Sequence, residues 1–343
     1  MDVDLTKLTH ELTTLFILSL SGFLIAMTLT PIYTFFAYRY KFWKKQRTTS
    51  ATGEKITIFT KLHAKKFTRN IPTMAGAIFV TSILLVSLFN LDRGQTWLPI
   101  AALIGGALVG LLDDVINLRG DGTGVAGLRS SLKFAMISII GLGLGWFFFH
   151  NLGIDAIHVP FIGDLTLGWA MVPLFAFVVV ATGNAVNISD GLDGLAGGLA
   201  SISFGAFGVI ALLQGQVMLA GFCFTIVGAL LSYLWFNIYP ARFFMGDVGS
   251  FALGTALGVV AMLTNTLLLL PVIGLLFVVE AGSSLIQIAS KKILHRKIFI
   301  SAPIHHHLEA TGWPETKITM RFWVIACVTA FIGVFMAVAG GNI

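Results

Sequence analysis

The sequence predicts an all-α polytopic membrane protein: ten transmembrane helices, both termini outside, and a short outer β-hairpin between spans four and five. Three observations carry this. Of 343 residues, 56% are hydrophobic and only 11% charged, where a soluble domain carries about 25% charged residues. The apolar residues gather into runs near the roughly 20 residues that a helix needs to cross hydrocarbon. Lys and Arg fall almost wholly on alternate loops, as orientation in a membrane requires. A soluble globule is excluded because too little polar surface exists to cover it. Disorder, coiled coil and collagen fail on the same composition.

The segment before the first apolar run carries Asp2, Asp4 and Glu11 against Lys7 alone. It lacks a basic n-region and a small-residue cleavage site, so no removable signal peptide is expected and the first span stays. The spans are Thr13–Tyr38, Ile71–Asn90, Trp97–Leu112, Leu132–Phe149, Gly168–Val186, Leu192–Leu213 and Gln216–Phe236. Gly249–Ser290 is about twice one span and is interrupted by Thr264-Asn265-Thr266, so it supplies two more. Phe322–Gly340 is the tenth. All must be helical, since open strands leave backbone groups unsatisfied in lipid. Cys223 and Cys327 sit inside apolar runs, so no disulfide framework or Cys-based metal site is in view. With no long linker or convincing repeat, residues 1–343 read as a single integral membrane domain.

Segments following odd-numbered spans hold 20 of the 22 basic residues, ten of them from Arg39 to Arg69. Only Lys7 and Arg93 fall on the other side. By the positive-inside rule the odd loops are cytoplasmic and both termini lie outside. The net charge of +6 is thus an orientation signal with attraction to anionic membrane lipid, and not a nucleic-acid footprint. In the outer loop His150–Leu167, Gly163-Asp164 between apolar runs predicts the turn of a hairpin. A structured cap without chemistry is the expected role.

Four polar clusters then fall on the cytoplasmic side. Asp113-Asp114 close the third span. At a helix C-terminus, carboxylates oppose the macrodipole, which favours a metal or proton-handling role over simple solvation. Asn187, Asp190 and Asp193 lie between spans five and six. Asp190 fits a helix cap with Asp193 in the first turn on the same face, a placement compatible with substrate contact. Asp247 sits in a Gly-Asp-Val-Gly loop opening span eight, beside exposed-looking Phe243-Phe244. An aromatic face there suits stacking on a nucleobase. His305-His306-His307 precede span ten; adjacent histidines rarely converge on one zinc, so imidazoles near a phosphate are the better reading. Glu280 is an intramembrane carboxylate, either functional or a hydrogen-bond anchor. Together, carboxylates with a basic rim at a membrane surface suit Mg²⁺-assisted phosphoryl transfer. No P-loop or kinase signature supports ATP chemistry.

The motifs Pro72-Thr73-Met74-Ala75-Gly76, Leu111-Leu112-Asp113-Asp114, Asn184 to Ala196, Phe244 to Ser250 and Ala302 to Glu309 resemble the polyprenyl-phosphate N-acetylhexosamine-1-phosphate transferases. They stand in family order. The Pro-x-His-His-His-x-Glu motif points to the muramoyl branch. The resemblance implies ten spans with termini outside and a place in the bacterial inner (cytoplasmic) membrane, with the active site on the cytoplasmic face. The implied reaction moves phospho-MurNAc-pentapeptide from UDP-MurNAc-pentapeptide to undecaprenyl phosphate, giving lipid I and UMP, with Mg²⁺ as cofactor. A homodimer is also implied.

Carried over residue by residue, the resemblance gives Asp247 as the Mg²⁺ ligand and Asp113 and Asp114 as the paired catalytic carboxylates. His305 is the essential histidine, with His306 and His307 beside it at the substrate. Asn187, Asp190, Asp193, Asn237 and Phe244 form the nucleotide-sugar pocket. Thr73, Lys133 and Gln287 complete the substrate contacts, Lys133 near the diphosphate. Thr68 stands where the family carries a lysine, with Lys66 and Arg69 as the neighbouring cations. Two other readings stay open. A sibling enzyme would move GlcNAc-1-phosphate to the same lipid, which the histidine triplet argues against. A secondary transporter would place its carboxylates near the bilayer midplane.

Overall fold

The computed structural model describes residues 5–43, 70–90, 92–119 and 127–343. Thr68, Lys66 and Arg69 lie outside the described residues. Helices dominate: α1 (Leu5–Arg39), α2 (Gly76–Asn90), α3 (Arg93–Arg119), α4 (Ser130–His150), α5 (Met171–Ser189), α6 (Leu195–Leu213), α7 (Val217–Asn237), α8 (Gly246–Leu263), α9 (Leu270–Ile273), α10 (Leu275–Ile293), α11 (Ile304–Ala310) and α12 (Glu315–Ala339). Among the described residues, eight helices are long and apolar enough to cross a membrane. The Leu267–Ile273 segment and α10 form a further pair bent by 83°, and α2 is a shorter apolar helix. The chain is a multi-pass membrane protein. Consistent with a lipid-facing surface, α1, α4 and α12 leave most of their apolar residues exposed, Phe16, Phe35, Phe134, Phe331 and Phe335 among them.

The buried centre is α8. An apolar helix buried all round belongs in the middle of a bundle, and nearly every α8 residue is inaccessible. It packs on α3 and α5, and small residues set how closely. A Cβ at Gly110 of α3 would collide with the Asp247 carbonyl, and one at Gly106 with the Phe251 carbonyl. This close approach brings the start of α8 against the α3 residues that carry the aspartate pair.

Several boundaries differ from the sequence reading. The helix α3 does not end at Leu112 but continues to Arg119, so Asp113 and Asp114 lie inside it rather than at its terminus. Val115 and Leu118 pack on the core and reward the extra turns, and Arg119 suits the negative end. The second helix starts at Gly76, five residues later than expected, because Ile71–Ala75 is a buried, non-helical segment paired with the loop before α8: Phe244 N donates to Pro72 O (2.8 Å) and Ala75 N to Phe244 O (3.0 Å). Pro72 offers no N–H to a helix. The break at Thr264–Thr266 stands where the sequence placed it.

At the opposite end from Asp247, β1 (Ala156–Val159) pairs antiparallel with β2 (Gly163–Thr166). The turn is Pro160-Phe161-Ile162, not Gly163-Asp164, which belongs to β2. Pro160 presets a turn φ, and Phe161 takes a left-handed φ of 68°. His158 closes this end: Nδ1 meets Asp164 Oδ1 at 2.7 Å and Nε2 meets the Gly340 carbonyl at 2.9 Å. Asn265 Oδ1 accepts from His158 N (2.9 Å), Asn342 Nδ2 donates to Asn265 O (2.8 Å), and Gln214 Nε2 donates to the Thr264 and Asn342 carbonyls.

Candidate active site

The long α3 carries Asp113 and Asp114 immediately after its apolar stretch, where they meet the first turn of α8. Their exposures are 2% and 0%. Asp114 Oδ2 accepts the Val248 backbone N–H (3.0 Å). A carboxylate at a helix N-terminus satisfies one of the orphan donors and complements the dipole. Asp114 thus fixes the beginning of α8 and with it Asp247.

Asp113 faces the other way. Its Oδ1 accepts Leu128 N (2.6 Å), and its Oδ2 accepts Asn117 Nδ2 (3.0 Å), one helical turn on. The Lys133 ammonium, from the first turn of α4, lies 3.4 Å from Asp113 Oδ2 and 3.3 Å from Asp247 Oδ2. Two carboxylates from separate helices therefore converge on one cation. Among the described residues, no group of three or more His, Cys, Asp or Glu side chains is arranged to hold a metal. The donor set is two hard oxygen ligands beside a lysine. That suits Mg²⁺, which takes one or two carboxylates and completes its shell with phosphate oxygens and water.

Asn187 sits in the last turn of α5 and donates from Nδ2 to Ser250 Oγ of α8 (2.9 Å). Asp190 is the C-cap of α5 and not the cap of the next helix. Gly194 caps α6 at φ 76°, a left-handed conformation that glycine adopts without strain. Asp193 consequently lies in a turn and not on the first turn of α6. That turn is held from every side. Asp193 N donates to Glu315 Oε1 (2.6 Å), Thr319 Oγ1 donates to Asp193 O (3.3 Å), and Trp323 Nε1 donates to Gly194 O (3.2 Å). The Asp193 carboxylate accepts Ala241 N (2.9 Å). Asn237 accepts from Gly194 N and donates to Phe243 O, both at 2.9 Å. Asp193 and Asn237 thus lock the 190–194 turn to the loop before α8.

Phe243 is not exposed. It is 3% accessible and packs against Tyr33, Tyr233 and Phe236. Phe244 alone is half-buried and offers a ring at the surface. Thr73 is buried, its N–H donating to Phe42 O (2.6 Å) and its carbonyl accepting the Tyr33 hydroxyl.

The three histidines diverge along the short α11. His305 Nδ1 meets Glu280 Oε2 at 2.7 Å, and His306 Nδ1 meets Glu309 Oε2 at 2.7 Å. His307 Nδ1 accepts Ile300 N (3.2 Å); since a backbone N–H only donates, the ring proton sits on Nε2. Burial holds His306 below the usual histidine range, against the pull of Glu309. Gln287 accepts Ile298 N (3.1 Å) and Phe299 N (3.0 Å) and donates to Phe299 O (2.9 Å). It shapes the 296–300 loop, so its amide is already committed to backbone. Glu280, Ser283, Gln287 and Ser290 form the buried stripe of α10, each anchoring part of the chain between Arg296 and His305.

The structure thus brings Asp113, Lys133 and Asp247 together, with Asp114 and Asn187 bracing α8. Sequence reasoning missed Asn117, Ser250, Glu315, Thr319 and Trp323. Asn117 carried a usable signal in its i+4 spacing from Asp113; Glu315, 122 residues from its partner, carried none.

The sequence is similar to that of known proteins. Residues 96–265 match glycosyl transferase family 4. A phospho-N-acetylmuramoyl-pentapeptide-transferase of Chloroflexus aurantiacus is 35% identical over 99% of this chain and 94% of its own. The chain belongs to that transferase family. Another member, from Geobacillus thermodenitrificans, is 39% identical over 92% of this chain and 96% of its own. One from Levilactobacillus brevis is 41% identical over 81% and 87%. Between Trp97 and Asn265, the family match spans the Asp113–Asp114 pair, Lys133, Asn187 and Asp247, while the histidine helix lies beyond it.

Proposed function

We propose that this protein transfers phospho-MurNAc-pentapeptide from UDP-MurNAc-pentapeptide to undecaprenyl phosphate, yielding lipid I and UMP. The observation that carries the reading is the convergence of Asp113 and Asp247 on the Lys133 cation, in a chain whose relatives bear that transferase's name. In this proposal residues 1–343 form one integral membrane domain of the bacterial inner membrane. The bent pair and α2 count as spans, bringing the total to ten; the termini and the hairpin face outside. The 20 basic residues on alternate loops support the orientation. The carboxylate cluster then opens to the cytoplasm, and the protein acts as a homodimer.

Asp247 and Asp113 would hold Mg²⁺. When bound, the ion neutralises charge on the diphosphate oxygens and on departing UMP. Lys133 clamps a phosphate oxygen, which lowers the repulsion between two anionic substrates. Asp114 keeps the first turn of α8 in place, and Asn187 braces that helix through Ser250. The Phe244 ring stacks on uracil, with the 190–194 turn forming the rest of the nucleotide-sugar pocket; Asp190 and Thr73 contribute to its walls. Gln287 and His307 shape the loop beside the histidine helix, while His305 and His306 face the substrate phosphates. An oxygen of the lipid phosphate bonds to the sugar-linked phosphorus as the bond from that phosphorus to UMP breaks. No strong base is required, because a phosphate monoester with a second pKa of about 6 is already largely ionised.

The test is radiolabel transfer from UDP-MurNAc-pentapeptide to undecaprenyl phosphate by the purified protein, with and without Mg²⁺ and with UDP-GlcNAc in parallel. Mg²⁺-dependent lipid I formation from the muramoyl donor alone is expected. Transfer from UDP-GlcNAc instead would assign the sibling activity, and no transfer from either would remove the transferase reading.

A further inference from the structure

Glu280 is a carboxylate in the interior of an apolar helix pair, with 0% exposure. Desolvating such a group costs several kcal/mol unless a partner compensates. Its partner is His305, also 0% exposed, whose Nδ1 lies 2.7 Å from Glu280 Oε2. With the carboxylate as acceptor, Nδ1 is the ring nitrogen that donates. Among the described residues, the opposite ring nitrogen, Nε2, has no hydrogen-bond partner. It points at Gly191: a Cβ there would overlap Nε2. Gly191 belongs to the turn that carries Asp190 and Asp193. The backbone is tied down as firmly as the ring. Ile304 N donates to Ser283 Oγ (2.9 Å), and Ser283 Oγ donates to the Glu280 carbonyl (2.8 Å). One turn of α10 therefore fixes the position, ring plane and tautomer of His305.

We propose that Glu280 is a positioning residue for the transfer reaction, holding His305 with its Nε2 turned toward the Asp190–Gly191 turn. The proposal rests on the reading of His305 as part of the active site. Loss of a carboxylate that serves only as a structural anchor would lower stability, and its effect on turnover would add to that of losing His305. A carboxylate that acts through His305 loses its effect once the imidazole is gone.

The experiment compares E280Q, H305Q and the double variant of the full chain, measuring kcat, KM and thermal midpoint. It adds nitrogen NMR of histidine-labelled protein, with the His305 signal assigned from H305Q. E280Q is expected to lower kcat roughly ten- to hundredfold, the range seen when an orienting partner of a functional histidine is removed, with KM nearly unchanged. The double variant should be no slower than H305Q. His305 should carry its proton on Nδ1 in the parent and lose that preference in E280Q. Additive losses, or a tautomer indifferent to E280Q, overturn the proposal. Full activity in H305Q overturns the underlying reading of His305 and the proposal with it, an outcome distinct from additivity. Where E280Q does not fold, E280D, which keeps the charge but falls one methylene short, takes its place in the same cycle.

Discussion

The two ends of the bundle solve the same problem differently. Around His158, the hairpin, the Thr264–Thr266 break, the α6–α7 link and the C-terminus trade hydrogen bonds until each element is tied to another. At the start of α8, Asp113 and Asp247 instead share one lysine at 3.4 and 3.3 Å, longer than a good charge-assisted hydrogen bond. The polar groups at the first end tie structural elements to one another; under the proposed function, the carboxylates at the second are where a divalent cation would bind. On that reading, substitutions at the first end should cost stability and those at the second should cost turnover.

The largest effect is expected at Asp247→Ala. Transfer should fall by about a thousandfold or more, the scale of losing transition-state charge stabilisation, while the thermal midpoint moves little. Radiolabel transfer and a melting curve on the same preparation check both halves. The mirror case is Asn265→Ala at the other end. It removes the acceptor of His158 N and places alanine at a φ of 50°, so a loss of about 1–3 kcal/mol should appear in unfolding while turnover per folded molecule is retained.

His158 sharpens the contrast through pH. The Gly340 carbonyl raises its pKa from 6.5, burial opposes that rise, and Asp164 adds to it. A raised folded value means its stabilisation is complete below the unfolded pKa and is lost as pH rises through the folded one. Melting temperature should therefore decline as pH rises above about 6.5, and His158→Gln should flatten that decline. The smallest effect is expected for Tyr33→Phe, which deletes the hydroxyl donor to the Thr73 carbonyl. About 1 kcal/mol of stability and a modest rise in KM for the nucleotide sugar, read from initial rates, would place that bond in loop positioning.

Much of this fold was legible in the sequence because membrane helices announce themselves by length and hydropathy. The break at Thr264–Thr266 was legible for the same reason. Helix ends were not. Apolar runs mark hydrocarbon and not hydrogen bonding, so α3 was cut short at Leu112 although its backbone continues to Arg119. The site was legible as a set of residue types on one side of the membrane. Its division of labour was not, because Asp193 and Asn237 spend their polar atoms on the backbone of distant loops. Periodicity and charge counting cannot register such contacts. Phe243 misled for a related reason: an aromatic beside a polar motif resembles a binding surface, while its burial came from Tyr33 of the distant α1 and from Tyr233 of the preceding α7.

In the proposed function Asp113 and Asp247 form one divalent-cation site. Binding of Mn²⁺, followed by electron paramagnetic resonance on the purified full chain with UMP present, tests it without reference to turnover. Saturable binding is expected in the parent protein, competed by Mg²⁺, weakened in Asp113→Asn and lost in Asp247→Asn. Equal Mn²⁺ affinity in the parent and in the Asp113→Asn, Asp247→Asn double variant would contradict it.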